Sequence, residues 1–148
     1  MSTIPIKIQP ATPEVLNFIL NSWLTSYSKL SHFAKGIPSR YFFHHHHTLL
    51  AAILSHAECL VAVDQEDPNL YYGWIVFDPK TDPACVHYCY VKKNFRKLGI
   101  GTELLASTGI DTNEPWAVTH QTYAWTDQIQ SHYNQAIYVP YLAFNQGK

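Results

Sequence analysis

The chain has 148 residues, a length that suits one domain with its own core. Hydrophobic residues make up 47% and charged residues only 14%, a balance that excludes a mostly disordered chain. Ten Lys and Arg against eleven Asp and Glu leave a net charge of −1. That argues against a nucleic-acid binder relying on a broad basic face, and it permits self-association, so a homodimer is compatible with it.

No apolar run approaches the ~20 residues that span a membrane. The start, MSTIPIKIQP, lacks the charged and apolar regions of a signal peptide. Cys59, Cys85 and Cys89 lie inside apolar segments, so they are expected to be reduced core thiols of a cytoplasmic protein. With no internal repeat and no Gly/Ser linker, residues 1–148 are read as a single domain.

Ile4, Ile6 and Ile8 alternate with polar residues and predict a strand over 3–9. Thr12-Pro13-Glu14 reads as a helix start, with Thr12 as N-cap and an apolar face of Leu16, Ile19, Trp23 and Tyr27 after it. Residues 33–39, with Gly36 and Pro38, read as a loop, and 39–55 as a second helix. Apolar runs over 59–63 and 70–77, separated by the turn Asp67-Pro68-Asn69, predict a hairpin. A strand over 84–91, a polar loop over 92–98 and a helix over 102–110 follow. A short strand over 116–119, a helix over 126–135 and a strand over 137–144 complete the chain. The order β-α-α-β-β-β-α-β-α-β implies an α/β (α+β) domain with a mixed sheet flanked by helices.

The most informative stretch is VHYCYVKKNFRKLGIGTELL, residues 86–105. An apolar strand ends in a basic loop, two glycines follow, and a helix begins. The first N–H groups of a helix have no internal partner, and the helix dipole adds positive potential there. Gly99 and Gly101 let the backbone approach a ligand, while Lys92, Lys93, Arg96 and Lys97 add charge nearby. A phosphate or pyrophosphate suits such a site. No P-loop run is present, and Leu104 stands where the dinucleotide fingerprint needs its third glycine.

Arg96-x-x-Gly99-x-Gly101, preceded by Tyr90-Val91 and containing Phe95, resembles the signature of the GNAT N-acetyltransferase superfamily. Lys93 stands where many members have Pro. The resemblance implies a GNAT-like, mainly antiparallel mixed sheet that binds acetyl-CoA (coenzyme A) as one acyl-CoA-binding domain. It implies pyrophosphate contacts from Arg96, Lys97, Leu98, Gly99, Ile100, Gly101 and Thr102. Tyr90 and Val91 would then offer backbone groups to the pantetheine arm. It also implies transfer of an acetyl group to an amine of a small molecule or protein, with Tyr133 as the acid towards the leaving thiolate. The family's usual helix pattern around that Tyr is only partly kept, and His132 replaces an apolar residue.

His87 is the candidate base, because imidazole titrates near neutrality and this strand carries no Asp or Glu. It shares strand parity with Cys85 and Cys89, which predicts a common face and favours a hydrogen-bonded core histidine over a catalytic one. His44 to His47 fan through about 300° on a helix, so only His44 and His47 share a face, and no metal site is assigned. Trp23, Tyr27, Phe33, Tyr41 and these histidines are read as an acceptor or partner surface. The segments SWLTSY, YFFHH and LYYGWIVFD are similar to small GNAT-like proteins of tailed bacteriophages. That looser resemblance implies, as the alternative, a phage-encoded binding protein that modulates a host protein in the bacterial cytoplasm.

Overall fold

The computed structural model describes residues 5–122 and 132–144. Six strands form one sheet in chain order: β1 (Ile6–Pro10), β2 (Glu58–Asp64), β3 (Tyr71–Asp78), β4 (Cys85–Val91), β5 (Trp116–Val118) and β6 (Ala136–Tyr138). The first four run antiparallel to one another, whereas β5 is parallel to both β4 and β6. The helices are α1 (Pro13–Leu30), α2 (His32–Lys35), α3 (Ser39–Leu54) and α4 (Ile100–Ser107). This is the mixed sheet flanked by helices that the element order predicts, and it is mainly antiparallel, as the resemblance implies.

α1 begins where the sequence places it. Pro13 sits in the first turn, where a missing N–H costs nothing, and Thr12 is extended at the N-cap, although its hydroxyl makes no capping bond. Val15, Ile19, Trp23 and Tyr27 recur every fourth residue and form the buried stripe. On α3 the buried stripe is Phe42, His46, Leu50 and Ile53.

Strand alternation divides the core. Val61, Val63, Trp74 and Val76 face α1 and α3, whereas Ala62, Ile75 and Phe77 face α4 with Ile100, Leu104 and Trp116. Ile19, Leu50, Ile53 and Ile75 are wholly buried, each worth about 1.5–3 kcal/mol over the exposed state.

Three local expectations change. The loop expected over 33–39 contains the single turn α2, capped by the Ser31 hydroxyl, which accepts the Phe33 N–H at 3.1 Å. The last strand stops at Tyr138, because Pro140 has no N–H for a ladder, and a 3-10 turn covers Pro140–Phe144. Of the helix expected over 126–135, residues 126–131 lie outside the described residues and 132–135 form a turn.

Candidate active site

The site begins with a defect in β4. Val86 pairs with Phe77 and Tyr88 with Val76, so His87 is the extra residue of a β-bulge. The bulge reverses the strand's parity: Val86 packs on the α4 side and Tyr88 on the α1 side. Just beyond it, β4 leaves β5. Only Cys85–Ala117 and Val86–Val118 are paired, and the last rung is the Thr119 N–H to the Val86 carbonyl at 3.2 Å. Among the described residues β4 continues to Val91 paired with β3 alone, so the two parallel strands splay apart. The Lys92 N–H bonds the Tyr72 carbonyl at 2.9 Å, which fixes the phase of this stretch. Tyr90 therefore spends its backbone groups on Trp74, while Cys89 and Val91 direct theirs to the open edge.

The strand leads into the cradle. Lys97 (φ 65°) and Gly99 (φ 85°) both adopt left-handed backbone, curling the loop so that successive N–H groups converge. The Glu103 N–H is bonded to the Gly99 carbonyl at 3.0 Å. The N–H groups of Ile100, Gly101 and Thr102 precede that first rung and point out of the N-terminus of α4. Arg96 anchors the loop, its Nε–H donating to the Val91 carbonyl at 2.8 Å, with its guanidinium 6.0 Å from the Tyr90 ring centre. The Lys92 ammonium lies 5.4 Å from the ring centre of Phe18.

A cleft of about 510 Å³ runs from this cradle into the gap between β4 and β5. Its wall brings together Val91, Arg96, Lys97, Gly99, Ile100, Gly101, Thr102, His87 and Tyr133, all singled out from the sequence. Tyr90 and Leu98 do not line it; the Tyr90 ring stacks on Trp74 at 5.8 Å instead. Tyr133 is half-buried, edge-on to Trp116 at 5.9 Å, and lies outside any helix.

Beneath the cleft lies a polar chain. His87 Nδ1 is 2.9 Å from Thr119 Oγ1, which is 3.0 Å from His120 Nδ1. The Nε2 atoms of His120 and His46 are 2.9 Å apart. His87 Nε2 has the Cys85 sulfur at 3.7 Å. Trp23, Tyr27, Tyr88 and Phe42 surround these rings. Burial pushes His46 and His87 down to about 4, and Asp78 opposes the shift at His87. Burial, then the neighbouring His46 and His87, hold His120 well below the ordinary imidazole value. All three are neutral at pH 7.

The structure corrects three sequence readings. The bulge separates His87 from Cys89, so the shared parity fails; Cys89 is no core thiol but opens into the cleft under Gly101. Of the histidine run, His46 turns inward while His44, His45 and His47 are exposed, and among the described residues no three His, Cys, Asp or Glu side chains group for a metal. Trp23 and Tyr27 are core, so of the proposed partner surface only Phe33, Tyr41 and the outer histidines are exposed. Sequence reasoning missed Thr119, His120 and Trp116. Thr119 and His120 follow β5 directly, yet nothing local signals that His120 meets a residue 74 positions earlier.

Known proteins share this architecture. A Pyrococcus furiosus protein described as an acetyl transferase superposes with a TM-score of 0.63 at 17% identity, covering 86% of this chain and 91% of that one. A GNAT-family acetyltransferase from Staphylococcus aureus gives 0.53 at 17% identity, covering 87% and 80%. A protein called a possible acetyltransferase from Clostridium difficile gives 0.54 at 14%, covering 86% and 84%. At such identities the likeness is one of fold. No curated protein sequence matches the chain. The model of the acetyltransferase (GNAT) family, however, matches residues 18–108. That match spans more than half of the 148 residues and includes the bulge, the basic loop and the helix start, so the chain belongs to the acetyltransferase (GNAT) family.

Proposed function

We propose that this protein is an acetyl-CoA-dependent N-acetyltransferase that moves an acetyl group to an amine. The observation that carries the reading is the continuity of the cleft: one cavity joins an anion cradle to a gap between parallel strands. A Cβ at Gly101 would meet Val91 Cγ2 at 3.9 Å and Cys89 Sγ at 4.0 Å, ordinary contacts, so the protein's own packing does not require glycine there. A ligand lying close to the backbone gives a reason for a small residue there. Bound acetyl-CoA supplies the activated acetyl group.

The chain's residues divide the remaining work. The N–H groups of Ile100, Gly101 and Thr102, with Arg96 and Lys97, hold the pyrophosphate. The backbone groups of Cys89 and the Val91 N–H, turned to the open edge by the splay, orient the pantetheine arm and polarise the thioester carbonyl, while the Val91 carbonyl stays with Arg96. The Tyr133 hydroxyl donates to the departing sulfur, and His87 accepts the proton of the amine. Calorimetric titration with acetyl-CoA and CoA tests the reading, with thiol release followed in the presence of primary amines. Binding with thiol release supports it, and no binding at millimolar ligand overturns it.

A second reading rests on the exposed rings of Phe33, Tyr41, Phe43, Tyr138, Tyr141 and Phe144. Such rings suit a protein-binding face, and in this reading the fold modulates a partner protein, of a bacterial host if the chain is phage-encoded. Recovery of one stoichiometric partner by the wild type, lost on Tyr41→Ala and Tyr141→Ala, supports it; equal recovery by the variants removes it.

A further inference from the structure

The polar chain under the cleft has a property that single contacts hide. It is fully satisfied in two directions. In one, His87 Nδ1–H donates to Thr119, the Thr119 hydroxyl donates to His120 Nδ1, and His120 Nε2–H donates to His46 Nε2. In the other every donor is reversed: His46 Nε2–H donates to His120, His120 Nδ1–H to Thr119, and the Thr119 hydroxyl to His87 Nδ1. Each of the three links between His87, Thr119, His120 and His46 keeps one donor and one acceptor in either state, so the chain reverses as a unit. The three rings therefore have coupled tautomers, with His46 and His87 alike and His120 opposite.

We propose that His87, Thr119, His120 and His46 form a proton relay that carries the proton of the acceptor amine from the cleft to the α3 side of the core. The inference rests on the acetyl-transfer reading and deepens it. His87 and His120 line the cleft, whereas His46 does not. His87 Nδ1 is held by Thr119 at 2.9 Å, whereas Nε2 has only the weakly bonding Cys85 thiol at 3.7 Å, so Nε2 is the nitrogen left to meet the amine. As the new N–H bond forms there, the His87 Nδ1 proton passes to Thr119. The Thr119 proton passes to His120 Nδ1, the His120 Nε2 proton to His46 Nε2, and His46, which keeps 6% exposure, releases the proton on its Nδ1 to solvent water. Four groups each gain and lose one proton, and the chain ends in its reversed state.

The relay also accounts for a buried histidine acting as base. A ring that passes its proton on never has to store a charge in an apolar layer. The titratable groups facing the chain are Tyr27 from α1, Tyr88 and Cys85 from β4, and the His56–Asp78 pair at 3.8 Å beside His87. Tyr138 of β6 reaches the chain through Tyr27.

Two measurements test the relay. In protein labelled with ¹⁵N-histidine, two-bond proton–nitrogen spectra report each ring's tautomer without substrate. His46→Phe removes the partner of His120 Nε2, so His120 moves its proton to Nδ1, and the chain then forces His87 into the Nε2–H form. Thr119→Val cuts the chain and blocks that response. In the thiol-release assay with acetyl-CoA and a panel of primary alkylamines, Thr119→Val lowers kcat at least tenfold and removes the multi-proton solvent isotope effect, with acetyl-CoA affinity unchanged. Thr119→Ser, which keeps the hydroxyl, restores both. A His87 tautomer indifferent to His46→Phe, or an unchanged kcat and isotope effect in Thr119→Val, overturns the relay while leaving acetyl-CoA binding intact. Failure of the wild type to bind acetyl-CoA overturns the proposed function instead, and the relay's service to it.

Discussion

Gly73 shapes the cleft without touching it. It faces Val91 across β3 and β4, and a Cβ there would run into the Tyr90 carbonyl oxygen and meet Val91 Cα at 3.2 Å. Those neighbours are backbone and cannot swing aside. Gly73→Ala therefore costs about 1–3 kcal/mol in urea-melt stability and displaces the free edge of β4, weakening acetyl-CoA binding. Gly36→Ala meets nothing within 4 Å and serves as the control, with stability unchanged or slightly raised. Cys89 offers a direct report on occupancy. Its thiol opens to the cleft beside Val91, so bound CoA slows its alkylation by maleimide, whereas buried Cys85 stays unreactive with or without ligand. Equal labelling of Cys89 at saturating CoA contradicts the placement of the arm along β4. Single residues were unevenly legible in the sequence. Gly99 was readable because left-handed backbone leaves a local mark. His120 was not, because its partner His46 lies on α3 and only tertiary packing brings the two rings together.

The same contrast holds for elements. β4 and α4 were legible, since an apolar run, a basic loop and glycines before a helix each have a local physical cause. The bulge at His87 was hidden, because it arises from the register between β4 and β3 rather than from β4's own composition. It is nevertheless what places His87 beside Thr119, just where β4 parts from β5. The α4 N-terminus allows a test that separates packing from binding. Gly101→Ala adds a Cβ that the protein accommodates at ordinary contact distance, so folding is retained and CoA affinity falls only modestly. Gly101→Glu and Gly99→Glu put a carboxylate into the anion cradle and abolish CoA binding, and Gly99→Glu adds the strain of φ 85° at a non-glycine residue. Calorimetry on the three variants checks the order. Normal CoA binding by either glutamate variant means the loop is only a turn.

At the scale of the molecule, aromatic residues replace charges as the organising material. Trp23, Trp74, Tyr27, Tyr88 and Phe42 fill the layer between α1, α3 and the sheet, which is why rings that read as a partner surface prove to be core. Three neutral histidines are embedded in or beside that layer, and they make the fold sensitive to acid. In the unfolded chain they titrate near ~6.5. In the folded protein burial holds His46 and His87 at about 4 and His120 well below its ordinary value. Above pH ~6.5 neither state binds the extra protons, and the native state keeps its full stability. Between about 6.5 and about 4 only the unfolded chain takes them up, so stability falls as the pH falls. Each histidine then costs about 1.4 kcal/mol per pH unit, and His46 with His87 about 2.7 kcal/mol per unit before His120 is added. From about pH 6.5 to about pH 5 such a slope removes about 4 kcal/mol, a sizeable share of the ~5–15 kcal/mol typical of a domain. Urea midpoints measured from about pH 7.5 to about pH 5 should be flat at first and then drop steeply below about 6.5. His46→Phe should make the lower limb shallower by about one proton's worth of slope, even though its stability at neutral pH also changes. A profile flat down to about pH 5 would mean that the three rings are protonated in the folded state, which the aromatic layer packed against the His46–His120 pair does not support.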